Sequence, residues 1–138
     1  MESLKDEDFE ALLAFRIALR RFNRWSEEKA LEVGLTHAQH QLLLAIKGHR
    51  GDQPPTIGEI ADYLLLRHHS AVELANRVQA AGLVERRRDE ADARIVRLSL
   101  TAKGAECIQR LTQLHIDELG QLAPLLRHVV QDANLPLS

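Results

Sequence analysis

The stretch Glu85–Thr101 reads ERRRDEADARIVRLSLT and differs in pattern from the rest of the chain. Basic residues lead into an acidic tip, after which Val96, Leu98 and Leu100 alternate with mostly polar neighbours. Alternation by twos is typical of a strand with one buried face. LVERRR before the tip is a shorter strand candidate, and the polar segment DEADA between them suits a hairpin turn. The stretch therefore predicts a small two-stranded β-ribbon.

Helical patterns fill the rest of the chain. Roughly residues 5–32 carry one apolar stripe that predicts a long helix, and a capping-box pattern at Thr36 begins the next one. After the ribbon, Thr101 starts another long helix, which Gly120 interrupts before a final helix with Pro124 in its first turn. The expected fold class is therefore mainly α with a small β-ribbon.

Two short amphipathic helices are expected just before the ribbon. TIGEIADYLLL and RHHSAVELANRVQAAG each repeat apolar residues at i, i+3, i+4 and i+7. Thr56 and Glu59 form a capping box for the first helix. Ser70 with Glu73 forms a cap candidate for the second, which could also begin up to a turn earlier. Because Gly82 ends this pair and an isolated two-stranded ribbon is marginal in water, we predict a helix-turn-helix with the ribbon packed beside it.

Charge and motifs narrow the function classes. The net charge is −2, but residues 67–103 hold eight Lys and Arg against five Asp and Glu, while the remainder holds ten against fifteen. Such a local excess fits either a solvated surface or a nucleic-acid partner.

No apolar run approaches the ~20 residues that span a bilayer, and no signal peptide is visible, so we expect no membrane partner and a cytoplasmic location. Nucleophile elbows, phosphate-binding glycine loops, HExxH motifs and cysteine clusters are absent, so we expect neither an enzyme nor a cofactor.

A helix-turn-helix with a basic ribbon beside it has a physical use. Its second helix fits the major groove of DNA, and ribbon arginines can reach flanking phosphates or the minor groove, where negative potential is focused. Alternation along the strand means that Arg86, Arg87 and Arg88 cannot all point the same way, so one or two of them are expected to touch DNA. The rival hypothesis is a winged-helix module for protein–protein assembly that binds no DNA.

The helix pair and ribbon resemble the DNA-binding core of the MarR (multiple antibiotic resistance regulator) family. The resemblance rests on AAGLVERRRDEADAR and LSLTAKG, which match that family's order of helix end, Gly-Leu-Val, arginine-rich strand, D-x-x-D-x-R wing and LT-x-x-G helix start. It implies one domain over residues 1–138, with a winged helix-turn-helix core at about 36–100 and dimerisation helices at about 5–33 and 101–132.

The resemblance also implies a function and partners. It indicates a homodimer that binds a pseudo-palindromic double-stranded DNA operator and acts as a transcriptional repressor released by a small-molecule effector. Apolar residues of the first and last helices exceed what the winged core can cover, so a two-fold partner is expected to bury them. These residues are Leu12, Phe15, Leu19, Phe22, Ile108, Leu111, Leu119 and Leu122.

Residues of the DNA contact follow from the matched motifs. Arg94 matches the wing-tip arginine that enters the minor groove, and Asp92 matches an acidic residue that holds basic side chains in place. Ala93 stands where many relatives have another arginine, and His69 and Glu73 stand where many have Ser and Arg, which leaves the bases read by this protein open. The residues expected to contact DNA are Thr56, Arg67, His68, His69, Ser70, Val72, Glu73, Asn76, Arg77, Arg86, Arg88, Asp92 and Arg94.

Several of these side chains have alternative roles. Arg77 is as suitable for a structural salt bridge as for a phosphate, and Glu73 either accepts from cytosine N4 or caps the helix with Ser70, which we favour. Cys107 is expected to be a buried, inert thiol rather than an oxidant sensor. His115 falls on an apolar stripe, so we expect an interface or core histidine.

An effector pocket is predicted where the first and second helices meet, because family members bind small aromatic or phenolic molecules between the dimer helices and the winged core. The anchors expected there are Arg16, Arg20, Trp25, His37 and His40. An arginine can pair with a carboxylate or phenolate while Trp25 stacks on the ring. Alternatively, both arginines belong to a solvated helix face and Trp25 only packs. His37 and His40 could ligate a metal, but two histidines make half a site, so no metal is predicted.

Overall fold

The computed structural model describes residues 3–132. In chain order the elements are α1 (Asp6–Glu32), α2 (His37–Gly48), α3 (Ile57–Leu64), α4 (His68–Ala80), β1 (Val84–Arg88), β2 (Val96–Leu100), α5 (Ala102–Leu119) and α6 (Ala123–Asp132). The fold is therefore mainly helical with a two-stranded sheet, as predicted. The described part of the chain divides into two compact units, one formed by residues 3–29 with 112–132 and the other by residues 30–111.

Both predicted capping boxes are present. The Thr36 hydroxyl accepts from the Gln39 N–H, and the Gln39 side chain accepts from the Thr36 N–H. Thr56 and Glu59 repeat this exchange at the start of α3. The hydrogen bond from the Thr56 N–H holds the pKa of the Glu59 carboxyl below its ordinary value. Each box satisfies two backbone N–H groups that would otherwise lack hydrogen-bond acceptors at the helix start.

The second helix of the helix-turn-helix starts before its predicted cap. α4 begins at His68 and has no side-chain cap, so Ser70 lies inside the first turn and Glu73 is not its capping partner. The capping prediction for this pair was therefore wrong, whereas the alternative start up to a turn earlier is confirmed. The turn itself explains the early start, because Leu65 adopts a left-handed conformation with φ +55° and ends α3 abruptly. Helical backbone then resumes within three residues.

The predicted ribbon is confirmed, with β1 and β2 antiparallel and Arg86 opposite Leu98. Side chains directly opposite each other share a face. Arg86 and Arg88 therefore lie on the face of Leu98, which is fully buried, while Arg87 lies on the other face. As expected from alternation, the three arginines do not all point the same way.

A close contact joins the end of α4 to the start of α5. The Thr101 N–H donates to the Leu83 carbonyl at 3.0 Å, and the Thr101 hydroxyl donates to the Gly82 carbonyl at 2.7 Å. The same hydroxyl accepts from the Gly104 N–H at 3.0 Å and so caps α5. A Cβ on Gly104 would lie 2.0 Å from the Leu83 oxygen. The LT-x-x-G pattern is therefore a packing requirement, since only glycine permits this approach.

The core of the second unit is aliphatic, in keeping with an aromatic content of only 4% in the whole sequence. Ile108 and Leu111 of α5 belong to this core and are buried together with residues of α2, α3, α4 and β2. Their expected place at a dimer surface was therefore wrong. The apolar stripe predicted for α5 is present, but its first half packs into the core of the second unit rather than facing solvent.

In the first unit, an aromatic cluster links α1 to α5. The His115 ring lies 4.8 Å from the Trp25 ring and 5.8 Å from the Phe22 ring. Its Nε2 is 2.6 Å from the Ser26 hydroxyl, a side chain that is buried. His115 is thus a packed structural histidine within this unit. Among the described residues, no helix is long and apolar enough to cross a membrane.

We predict that Gly104→Ala lowers the free energy of unfolding by roughly 2–3 kcal/mol, because the added methyl must displace the Leu83 backbone. Urea unfolding followed by circular dichroism measures this change. Gly48→Ala is the matched control, since a Cβ there meets nothing within 4 Å. Equal stabilities of the two variants would contradict the packing requirement at Gly104.

Candidate nucleic-acid interface

One face of α4 is open to solvent along its whole length. Its opposite face is buried through Ala71, Leu74, Ala75 and Val78, at the spacing that the sequence predicted. The side chains exposed on α4 and its N-cap include most of the predicted helix contacts: Arg67, His68, His69, Glu73, Asn76 and Arg77. Ser70 and Val72 are half-buried.

Arg86 connects the ribbon to α4. Its guanidinium donates to the Val72 carbonyl at 3.3 Å and to the Asn76 side-chain oxygen. Because these bonds hold both side chains within the protein, Arg86 and Asn76 act here as a tether between β1 and the helix. A contact of either with DNA stays a prediction, and it would require this tether to be shared or opened.

The wing tip presents Arg94 to solvent. Its guanidinium donates to the Asp92 carboxylate from Nε and Nη2, each at 3.1 Å, and its side chain is 91% exposed. This hydrogen bonding holds the pKa of Asp92 below its ordinary value and raises the pKa of Arg94. The structure therefore brings together the two wing residues that the resemblance paired.

Asp89 begins the wing tip and was assigned no role from the sequence. Its carboxylate accepts from the N–H groups of Ala91 and Asp92, each at 3.1 Å, and its own N–H donates to the Ile95 carbonyl at 2.9 Å. Asp89 thus holds the tip as a compact turn, in which an aspartate replaces backbone acceptors. The D-x-x-D spacing could have indicated this role, because Arg94 pairs only with Asp92, the second aspartate of the motif, and leaves Asp89 for the turn.

Arg97 is the other residue that sequence reasoning missed. It was read only as a polar position on β2, yet its Nε donates to Asp89 at 2.8 Å and its Nη1 donates to the Pro54 carbonyl at 2.8 Å. The hydrogen bond from Arg97 is the main reason that the pKa of Asp89 is lowered. Periodicity assigned the face of Arg97 but could not identify these partners.

A groove of about 400 Å³ separates α4 from the ribbon. It brings together five predicted contacts with Ile57, Gly58, Ile95 and Val96, namely Thr56, His68, Val72, Arg86 and Arg94. On the other side of α4, a smaller concavity of about 190 Å³ gathers Ser70, Glu73 and Arg77. The predicted contacts that line a concavity therefore fall into two groups, one on each side of the exposed face of α4. Arg88 lies apart on the ribbon and donates to the Ala93 carbonyl at 3.5 Å.

The predicted effector anchors fall in two units. Arg16, Arg20 and Trp25 belong to the first unit, and His37 and His40 to the second. Both arginines are exposed, as is His37, whereas His40 is buried.

The first unit contains its own cavity of about 650 Å³. Trp25, Phe22 and Arg21 are among its lining residues, together with apolar residues of α1 and α6 and polar residues near the end of α5. Arg21 is therefore the arginine beside Trp25, whereas Arg16 and Arg20 are not among the residues that line the cavity.

Redox and metal chemistry find little support in the described residues. Cys107 is half-buried, and burial raises the pKa of its thiol, which reduces its reactivity. Within residues 3–132, no group of three His, Cys, Asp or Glu side chains is arranged to hold a metal ion.

A helix-turn-helix with a two-stranded ribbon after its second helix defines the second unit as a winged helix-turn-helix. A family model, MarR_2 of the MarR family, matches residues 33–95, which include the helix pair and most of the wing. Among curated proteins, no match is found.

Solved structures extend this likeness to nearly the whole chain. A MarR family transcription regulator, SP03579, is 26% identical with a TM-score of 0.75, and the match covers 93% of this chain and 87% of that one. The S. aureus MepR–DNA complex is 18% identical with a TM-score of 0.73 over 96% and 94% of the two chains. YusO from Bacillus subtilis is 20% identical with a TM-score of 0.70 over the same shares. The resemblance to the MarR family is thus confirmed, and the last two likenesses concern the fold alone.

Proposed function

We propose that the protein is a sequence-specific DNA-binding transcriptional regulator, and that it acts as a homodimeric repressor released by a small-molecule effector. The observation that carries the proposal is the exposed Arg94 at the tip of a wing beside the solvent-facing side of α4. A helix of this kind fits the major groove, and a wing arginine fits the minor groove or the flanking phosphates. The DNA-bound fold of MepR, which this chain resembles, supports the same assignment.

The ion pair of Arg94 does not prevent a contact with DNA. An exposed pair of this kind contributes little to stability, because water screens both charges. Arg94 can therefore turn toward phosphate at small cost, while Asp92 limits the conformations of the free guanidinium. Ala93 stands beside Arg94, and residues Asp89–Ile95 of the tip contain no second arginine. Binding of DNA by the wing should therefore depend strongly on the Arg94 side chain.

We predict that Arg94→Ala weakens DNA binding and lowers the salt slope of log K by about one, because one phosphate or minor-groove cation is lost. The measurement is fluorescence anisotropy at several salt concentrations on a fragment selected by mobility shift from genomic DNA. Arg24→Ala is the matched control, since Arg24 is also exposed and paired with one carboxylate, that of Glu28.

The outcomes separate the two function classes. The regulator is supported if wild type binds a fragment specifically and Arg94→Ala binds it more weakly and with a smaller salt slope of log K. If no genomic fragment is retained specifically, the regulator is ruled out and the winged-helix protein–protein module becomes the better reading. Equal responses of Arg94→Ala and Arg24→Ala would remove the wing from the interface.

The dimer is supported by apolar side chains left exposed in the first unit. They occur just before and along α1, on the later turns of α5 and in the first turn of α6: Leu4, Phe9, Leu12, Leu13, Ile17, Leu114, Ile116, Leu119 and Leu126. Exposed apolar surface of this extent marks an interaction face on a soluble protein. A second copy related by two-fold symmetry would bury the same face on both chains and place two wings on a pseudo-palindrome.

We predict a dimer in sedimentation-velocity ultracentrifugation at micromolar concentration. Leu13→Glu should shift the population to monomer, because a buried carboxylate would lose its water. Leu65→Glu serves as the control, since Leu65 is the most exposed large apolar residue described but lies at the helix-turn-helix turn. A monomeric wild type would rule out the homodimer.

The effector is proposed to be a small aromatic anion. The cavity of the first unit supplies Trp25 and Phe22 for an aromatic ring and Arg21 for a carboxylate or phenolate. A mostly apolar cavity with a few polar anchors is what such ligands require. To release DNA, the anion must bind the DNA-free state more tightly than the DNA-bound state.

We predict that millimolar salicylate displaces the protein from its operator, and that Arg21→Gln needs a higher concentration. Anisotropy of labelled operator during the titration measures the release. Arg20→Gln is the matched neighbour, because Arg20 carries the same charge on the same helix but does not line the cavity. If Arg20→Gln alone impairs release, the anchor predicted from sequence is correct instead. If salicylate-like anions release no DNA from wild type, this effector class is excluded.

A further inference from the structure

We propose that Arg97 is the positioning residue of the wing. Arg97 holds the tip, which carries Arg94, against the segment that leads into α3. Its effect on DNA rests on the proposed function, whereas its effect on the tip does not. Arg97 itself lies on β2, one residue pair from the wing tip, and is only 20% exposed, so its role is to act through other residues rather than to touch DNA.

One end of the contact is Asp89. The Arg97 Nε lies 2.8 Å from the Asp89 carboxylate, and the Asp89 side chain is 13% exposed. The second oxygen of the same carboxylate accepts the N–H groups of Ala91 and Asp92. Both oxygens are therefore engaged, one by the guanidinium and one by the turn. Asp92 in turn holds Arg94, so a continuous series of hydrogen bonds leads from Arg97 to the wing tip.

The other end of the contact lies outside the ribbon. The Arg97 Nη1 donates to the Pro54 carbonyl at 2.8 Å. The backbone follows the same route, because Thr56 forms a bridge with Arg97 and the Leu98 N–H donates to the Pro55 carbonyl at 3.0 Å. Since Thr56 is also the N-cap of α3, Arg97 joins the tip of the wing to the start of the helix-turn-helix.

The geometry requires an arginine. A planar guanidinium offers several donors in fixed directions and can reach the Asp89 carboxylate and the Pro54 carbonyl at once. A lysine carries the same charge on one nitrogen and would satisfy one of these acceptors. Arg87 lies directly opposite Arg97 in the ribbon but is exposed, so the two arginines share a face and differ in their contacts.

This pair of arginines provides a charge-neutral test. Arg97→Lys is compared with Arg87→Lys in the full-length protein, so that net charge is the same in every sample. Amide hydrogen exchange at Ala91, Asp92 and Ile95 reports the tip, and exchange at Leu43 in the core reports the fold. We expect exchange at the tip to accelerate about tenfold in Arg97→Lys, the scale of one hydrogen bond to a charged group, and to stay unchanged in Arg87→Lys.

Asp89→Asn is a second route to the same result. Asparagine can still accept the turn N–H groups with its oxygen but presents no charge to Arg97, so tip exchange should accelerate as in Arg97→Lys. If both variants exchange at the wild-type rate at the tip, the proposal is overturned. Acceleration at Leu43 to the same degree as at the tip would also overturn it, because Arg97 would then stabilise the whole unit.

DNA affinity supplies the functional arm through a double-mutant cycle. Arg94→Ala is measured in wild type and in Arg97→Lys. If Arg97 positions the wing, Arg94→Ala should lose most of its effect in the Arg97→Lys background, because the tip is already misplaced. Additive effects would show that Arg97 does not act through Arg94. If wild type binds no DNA, the proposed function fails, and the exchange experiment alone decides the role of Arg97 in the wing.

Discussion

The contact of Gly104 with the Leu83 backbone constrains the second unit more than any other interaction described. It brings the start of α5 against the end of α4, so the seventeen residues between Leu83 and Thr101 must leave and return at the same place. An antiparallel ribbon is the simplest backbone that does so with its hydrogen bonds satisfied. The ribbon therefore follows from the way α4 and α5 pack at Gly104. The composition of its strands favours a backbone path whose two ends this packing already brings together.

Once the ribbon is in place, side chains decide where it points. The buried Leu98 fixes which face turns inward, Arg86 bonds the inner face to α4, and Arg97 bonds the outer side to Pro54. Of the ribbon arginines discussed, Arg86 and Arg97 thus act as tethers. The cationic character of the sequence here is partly structural, which explains why a basic segment occurs in a chain whose net charge is −2.

Much of the fold was predictable because its signals are local. The capping boxes at Thr36 and Thr56 and the alternation along β2 each depend on residues within a few positions of one another. The pairing of Asp92 with Arg94 is also local and was found through the resemblance. Glycine at position 104 was recognised as part of a motif, although its cause, a backbone 21 positions away, became visible only in the structure.

The errors came from relationships that periodicity cannot express. Ser70 had the composition of a cap, but the left-handed turn at Leu65 let the helix begin before it. Ile108 lay on a correctly predicted stripe, yet a stripe does not say which unit covers it. Arg97 was missed because its acceptor at Pro54 is 43 positions away and belongs to a segment without a pattern.

The prolines beside β2 also limit strand pairing between copies of this protein at the edge of the ribbon. A ribbon edge with free N–H and C=O groups is a template for pairing with another chain. Here that side of β2 is covered by Pro54 and Pro55, which offer carbonyls but have no N–H to donate. The segment can complete the sheet but cannot support a further strand in the same register. Sheet growth is therefore disfavoured at this edge, which limits strand-to-strand aggregation.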